Sequence, residues 1–399
     1  MNSYPNHDPL SGPEITVVIP CLNEADTLET CIRKAQEALA KHRIDGEIVV
    51  ADNGSTDNSV VIAQETGARV VHVADQGYGS ALMGGIEAAR GRFVIMGDAD
   101  ASYDFHEIPK FVEKLRDGFD LVQGCRLPAG GGQILPGAMP KLHRWWGNPM
   151  FTYFARKWFK APINDVYCGM RGFSKAHYEQ LAQQCTGMEF ATEMIIKSSL
   201  YADLYRIRIA EVPITLHPDG RTSHAPHLRT FRDGWRTLRF FLMYSPRWLF
   251  LLPGGLLLLL GFLGYSVALP GVGIGGVTFD AHTLLFSSMF ILSGYQSILF
   301  AILTKTFAIS ERLMPEDPRM SRFFELVNLE RTLILSTVGL LLGCGLLLGA
   351  IFQWWQHDFG RLDYGETMRL VIPGSTLVAI SLQTIFSGFF VSILGMKRK

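Results

Sequence analysis

Toward its C-terminal end the chain holds four stretches without Asp, Glu, Lys or Arg: 248–279, 281–304, 332–357 and 370–396. A bilayer core about 30 Å thick is crossed by about 20 apolar residues in a helix. Each stretch is long enough, and each is rich in leucine, as in Leu256–Leu260 and Leu346–Leu348. The alternative, a buried helical core in a soluble protein, would need an unusually large apolar shell around four such helices. The pattern therefore predicts a transmembrane domain over 248–399, with spans at about 248–269, 282–304, 332–354 and 370–395.

The loops between these stretches set an orientation. Lys305, Arg312, Arg319, Arg322 and Arg331 follow the second stretch, and Lys397, Arg398 and Lys399 end the chain. The loop after the first has no Lys or Arg, and that after the third offsets Arg361 and Arg369 with Asp358, Asp363 and Glu366. By the positive-inside rule the N-terminal domain and the C-terminus both lie in the cytoplasm. The expected location is a multi-pass integral protein of the plasma membrane, or of the inner membrane in a bacterium. Lys+Arg and Asp+Glu both number 37, so nucleic acid is not an expected partner. The six cysteines contain no C-x-x-C pair and read as reduced thiols. Residues 1–14 form a polar tail without the apolar core of a signal peptide.

The segment 221–247 carries six arginines, with Phe231, Trp235, Leu238 and Leu242 at helical spacing between them. It reads as an amphipathic helix lying on an anionic leaflet. Before it, 15–220 alternates strands and helices. Strands are expected at 15–20, 47–52, 69–73, 93–97 and 120–124, with helices at 24–42, 57–66, 79–90 and 106–117. A last strand falls within 206–216, at a sheet edge because of Pro213. This alternation predicts an α/β, Rossmann-like domain followed by the α-helical transmembrane domain.

In a mostly parallel sheet, ligands bind at the carboxyl ends of the strands. Three polar clusters fall there: Pro20-Cys21-Leu22-Asn23-Glu24, Asp52-Asn53-Gly54-Ser55-Thr56-Asp57 and Gly97-Asp98-Ala99-Asp100. Asn23, Ser55, Thr56 and Asp57 also suit helix capping. As a set, the clusters suit a nucleoside diphosphate. Asp52 can accept N–H groups of a base, Glu24 can accept ribose hydroxyls, and Asp98 with Asp100 can hold a hard divalent cation against diphosphate oxygens. A dinucleotide site fits less well, because Leu82 stands where G-x-G-x-x-G needs its third glycine.

V-V-I-P-C-L-N-E, A-D-N-G-S-T-D, the Gly77–Gly91 segment and G-D-A-D resemble family 2 glycosyltransferases with the GT-A fold. Within that family the chain is similar to the polyprenyl-phosphate hexosyltransferases, the dolichol-phosphate mannose and glucose synthase group. The resemblance covers roughly 15–247. It implies that Pro20, Asn23, Glu24, Asp52, Asp98 and Arg126 bind the nucleotide sugar, and that Asp98 and Asp100 hold Mg²⁺ or Mn²⁺. Ser102 stands where members often place a further ligand. Asp100, Asp165 and Arg171 would be the catalytic set, the last two within D-V-Y-C-G-M-R. A cap or an ion pair with Arg171 is the competing role for Asp165. Arg144, Asn148, Arg221 and His224 would meet the acceptor phosphate, with His224 replacing the lysine of the G-x-S-K loop.

The implied partners are a nucleotide sugar (UDP-glucose, GDP-mannose or UDP-GlcNAc), a polyprenyl phosphate and the bilayer. The segment 128–160, aromatic from Trp145 to Phe159, would shape the lipid entry, with a place in the core as the alternative. The implied reaction is metal-dependent hexose transfer with inversion. Other lipid acceptors, a lipid-linked-sugar flippase and a non-catalytic nucleotide-sugar scaffold are the alternatives. Gly339, Gly343, Gly345 and Gly349 permit close helix packing, within one chain or in a homo-oligomer.

Overall fold

A computed structural model describes residues 12–222, 230–271, 273–274, 276–311, 314–315 and 317–394. The chain divides into two compact units, Met1–Phe241 and Leu242–Lys399.

The first unit opens with β1 (Ile15–Cys21), α1 (Leu28–Lys41), β2 (Gly46–Asp52), α2 (Ser59–Glu65), β3 (Arg69–His72), α3 (Tyr78–Ala88), β4 (Phe93–Met96), α4 (Ile108–Arg116) and β5 (Leu121–Cys125). Next come β6 (Gln133–Ile134), α5 (Asn148–Phe159), β7 (Arg171–Ser174), α6 (Lys175–Leu181), α7 (Phe190–Tyr205), β8 (Ile209–Pro213), β9 (Thr215–Leu216) and α8 (Thr230–Met243). Seven strands form one sheet in the order β3-β2-β1-β4-β7-β5-β8. β1 is central and buried along its whole length, as its apolar run requires of a strand covered on both faces. α1 buries Leu28, Cys31, Ile32, Ala35, Ala38 and Leu39, one stripe at helical spacing. This unit is a mixed α/β, Rossmann-like GT-A domain.

β7 was missed by the strand reading. It reads Arg-Gly-Phe-Ser, too short and too mixed to show alternation, and it pairs antiparallel with both β4 and β5. Its insertion brings the 165–171 loop to the carboxyl ends of β4 and β5. β8 does lie at the sheet edge, with Pro213 opposite Cys125. The helix expected over 221–247 is α8, shorter at both ends, and residues 223–229 lie outside the described residues. Phe241 of α8 packs edge-on against Phe151, Trp158 and Phe159 of α5, so part of the aromatic segment is core. The opposite face leaves Phe231 85% and Trp235 60% exposed.

Among the described residues the second unit contains four helices long and apolar enough to cross a membrane: Arg247–Ala268, Ala281–Ser310, Leu329–Gln356 and Tyr364–Leu394. They are α9 (Leu252–Ala268, entered through a turn at Arg247–Leu251), α10 (Ala281–Ser310), α12 (Leu329–Gln356) and α13 (Tyr364–Leu394). A short helix, α11 (Pro318–Leu326), links α10 to α12. Glycines set the crossings. A Cβ at Gly254 would lie 2.8 Å from the Gly294 carbonyl, and one at Gly343 would lie 2.9 Å from that of Gly374. Gly339 faces Ser381 in the same seam, whereas Gly345 and Gly349 meet nothing within 4 Å. Leu335, Leu341 and Phe386 stay exposed, as helices bathed in lipid allow.

Candidate active site at the carboxyl edge of the sheet

The chain leaves β1 through Asn23, held at φ 58°. Its side-chain oxygen accepts from the Thr56 amide at 2.7 Å, and its own amide donates to Ser55 Oγ at 3.0 Å. These bonds staple the end of β1 to the loop after β2. Pro20, one pair earlier, is buried opposite Ala51. Asp52 accepts from the Ser55 amide at 3.0 Å, and its other oxygen lies 3.1 Å from His72 Nδ1. Burial opposes ionisation of Asp52, but the Ser55 and His72 bonds outweigh it and hold the carboxyl below its usual range.

At the end of β4, Asp98 accepts from the Tyr78 hydroxyl at 2.7 Å. Burial, and then the neighbouring Asp100, push its carboxyl up to about 6. Asp100 accepts from both the Ser102 amide, at 3.0 Å, and the Ser102 hydroxyl, at 2.6 Å. Ser102 thus supports Asp100 here. Arg221 spans the cluster. Its Nε donates to Glu24 at 2.7 Å, while its guanidinium nitrogens lie 3.1 Å from Asp219 and 3.5 Å from Asp100. Burial works against the charged guanidinium, but these three carboxylates overcome it and raise the pKa. Asn23, Glu24, Asp52, Asp98, Asp100 and Arg221 are thus gathered at one sheet edge from four separate segments of the chain.

Asp98 and Asp100 fit a divalent cation that shares its coordination with a diphosphate. Two carboxylates crowd one strand end, where burial first, and then their mutual repulsion, raise the Asp98 carboxyl. Among the described residues no His, Cys, Asp or Glu joins them into a three-ligand cluster. Mg²⁺-type sites commonly use one or two carboxylates and take the rest from phosphate and water.

Arg126 and Asp165 form a separate pair. Arg126 Nε and Nη2 donate to the two Asp165 oxygens at 2.7 and 2.9 Å, and the Arg126 amide adds a third bond at 3.0 Å. Asp165 is 0% exposed, and its ion-pair partner is Arg126 rather than Arg171. Arg171 is fully buried and donates to the carbonyls of Ala191, at 2.5 Å, and Cys168, at 2.6 Å. Burial lowers its pKa, and it makes no ion pair among the described residues. Tyr103 joins the two groups, accepting from the Gly169 amide at 2.8 Å and from Arg126 at 3.4 Å. Gly169 must be glycine, since a Cβ there would lie 2.7 Å from Asp98 Oδ2.

Of the four residues expected at the acceptor phosphate, Arg221 instead pairs with the acidic edge, and the others lie elsewhere or outside the described residues. Arg144 sits in the turn before α5, 5.4 Å from the ring centre of Trp145. Trp145 and its neighbour Trp146 are both 70% exposed. Asn148 is buried, and its amide donates to Met139 Sδ at 3.3 Å. His224 lies outside the described residues. Glu193 is buried, paired with Lys197 at 2.7 Å, and accepts from the Cys185 amide at 2.8 Å. It holds the loop on which α3 begins, since the Thr186 carbonyl accepts from the Gly79 amide at 2.9 Å. The sequence reading did not single out Tyr78, Tyr103, His72 or Asp219. Tyr78 lay inside a motif already noticed, but nothing in a sequence marks which acid its hydroxyl will meet.

A Rossmann-like sheet with an acidic edge, in a chain that also carries four helices long and apolar enough to cross a membrane among the described residues, has the architecture of a glycosyltransferase with a transmembrane region. The chain belongs to glycosyltransferase family 2. The family 2 glycosyl transferase model matches 16–182, and the family 2 C-terminal transmembrane region matches 302–395. Low-salt glycan biosynthesis hexosyltransferase Agl6 of Haloferax volcanii is 39% identical over 387 residues, covering 96% of this chain and 90% of the relative. The dolichyl-phosphate hexose transferase of the same organism is 32% identical over 167 residues, 42% of this chain and 68% of the relative. A crystal structure of Mycobacterium tuberculosis glucosyl-3-phosphoglycerate synthase with Mg²⁺ and UDP aligns with TM-score 0.47 and 21% identity, over 59% of this chain and 80% of that one.

Proposed function

We propose that the protein transfers a hexose from a nucleoside diphosphate sugar to a polyprenyl phosphate, with inversion, at the cytoplasmic face of the membrane. The observation that carries this reading is the convergence of Glu24, Asp52, Asp98, Asp100 and Arg221 at one sheet edge of a chain with four apolar helices. The relative named as a dolichyl-phosphate hexose transferase supports the acceptor class.

In this reading Asp52 takes the base, Glu24 the ribose, and Asp98 with Asp100 would hold Mg²⁺ or Mn²⁺. The cation, when bound, neutralises diphosphate charge in the leaving group. Arg221 adds positive charge to the same edge. A phosphate acceptor is already an anionic nucleophile, so no strong general base is needed. The protein's work is positioning and charge stabilisation. In-line displacement then inverts the anomeric carbon. Arg126 and Asp165 form a rigid floor through Tyr103 and Gly169, and Arg171 fixes the start of α7 behind it. Arg144, beside exposed Trp145 and Trp146, suits an acceptor phosphate at the interfacial depth that tryptophan favours.

The test is transfer by purified protein, with labelled UDP-glucose, GDP-mannose or UDP-GlcNAc, polyprenyl phosphate, and either a divalent metal or EDTA. Metal-dependent label in the organic phase, abolished by Asp100→Asn, is the expected result. Label absent for every pair, despite measurable donor binding, would overturn the acceptor.

A further inference from the structure

In the membrane unit a hydrogen bond between the Tyr295 and Thr384 hydroxyls ties α10 to α13. Beyond it, toward Ser310 and Leu394, a cavity of about 550 Å³ opens. Ile302 and Thr306 of α10 wall one side, Ser387 and Ser392 of α13 another, and Phe323 and Phe324 of α11 a third. The volume lies within the range of about 300–1,000 Å³ common to small-molecule sites.

The lining is mostly apolar, with Ser387 and Ser392 as its serine hydroxyls and three threonines that are already engaged. The hydroxyls of Thr306, Thr332 and Thr384 donate to the carbonyls four residues earlier, at 2.8, 2.8 and 2.7 Å. A buried water needs two to four polar partners, so a mostly apolar lining of this kind suits a hydrocarbon chain better than water. Lipid chains are as apolar as leucine, so discrimination among them must come from shape and from the head group.

α11 supplies charge beside this lining. Arg319, Arg322 and Glu325 are exposed on it, and Arg319 stands one turn before Phe323 on the same helix face. Lys305 nearby is paired with Asp317, but among the described residues neither arginine has an ion pair. An apolar slot beside two exposed guanidinium groups matches the two parts of an anionic lipid.

We propose that this cavity is a holding site for the lipid acceptor, with the prenyl chain between α10, α11 and α13 and the phosphate at Arg319 and Arg322. The proposal rests on the polyprenyl-phosphate reading above and adds where the lipid waits.

The experiment uses the full chain in phosphatidylcholine nanodiscs, a polyprenyl phosphate with a diazirine on its chain, and mapping of cross-linked peptides. Adducts are expected on 302–306, 323–324 and 387–392, displaced by unlabelled polyprenyl phosphate and not by phosphatidylglycerol. Ser387→Phe, which narrows the slot, should cut labelling about tenfold, equivalent to about 1.4 kcal/mol. Ser387→Ala, which keeps the space, and Leu341→Phe, on an exposed face of α12, should label like the parent. Replacing Arg319 and Arg322 by glutamine should weaken labelling as well. Equal displacement by phosphatidylglycerol would make this a general phospholipid slot and overturn the proposal, as would labelling insensitive to Ser387→Phe. Sugar transfer to polyprenyl phosphate without cavity labelling overturns the site alone. Cavity labelling without such transfer supports the site and overturns the function.

Discussion

Two buried titratable groups in the first unit have opposite fates. Asp165 is buried and fully engaged by Arg126, whereas His177 is buried and neutral. Arg126→Ala should therefore destabilise the first unit by about 3–5 kcal/mol, because it leaves a buried carboxylate unpaired. Arg126→Lys should recover only part, since an ammonium lacks the two-pronged fork. Denaturant unfolding of the full chain in detergent checks both, and a loss below about 1 kcal/mol would contradict the pairing's structural weight. His177 lies against Ser198 at 2.9 Å, and burial lowers its pKa to about 4. From pH 6.5 down to 4 the unfolded chain binds a proton that the folded chain refuses. Stability should fall across that window, by up to roughly 3 kcal/mol from this group. His177→Gln should remove that share of the slope while leaving stability above pH 7 nearly level.

At the scale of elements, the start of α3 connects the loop after α6 to the acidic edge. Gly79 approaches this loop so closely that a Cβ would sit 2.3 Å from the Cys185 carbonyl. Tyr78, one residue earlier, holds Asp98. Gly79→Ala should lift α3 off the loop, cost about 1–3 kcal/mol in stability as overpacking does, and weaken donor binding measured by calorimetry. Unchanged donor affinity in a destabilised variant would separate α3 packing from the site. Glu193 acts on the same loop from α7, accepting from the Cys185 amide.

For the whole molecule, the charge pattern of the loops makes a topological prediction. In a cysteine-free background, cysteines placed at Arg319 and Lys399 should react with an impermeant reagent from the same side of the membrane. One placed at Gly271 should react only from the other. Labelling of Arg319 and Lys399 positions from opposite sides would contradict an even number of spans.

The membrane helices and the parallel core were legible because each rests on local composition. Uncharged leucine-rich runs can only be buried or sit in lipid, and the β-branched run of β1 needs cover on both faces. The acidic strand ends were legible for a related reason: parallel topology sends successive strand ends to one edge, so clusters distant in sequence share it. Pairings between side chains were not legible in this way. Arg126 meets Asp165 across 39 residues because β7 enters the sheet antiparallel, and four mixed residues carry no periodic signal of that. Arg221 meets Glu24 across 197 residues because the chain after β9 returns to the end of β1. The cavity beside α11 is likewise a property of how α10, α11, α12 and α13 pack together. Local physics set which elements form, while contacts between distant residues, which depend on chain path and packing, decided which charges met.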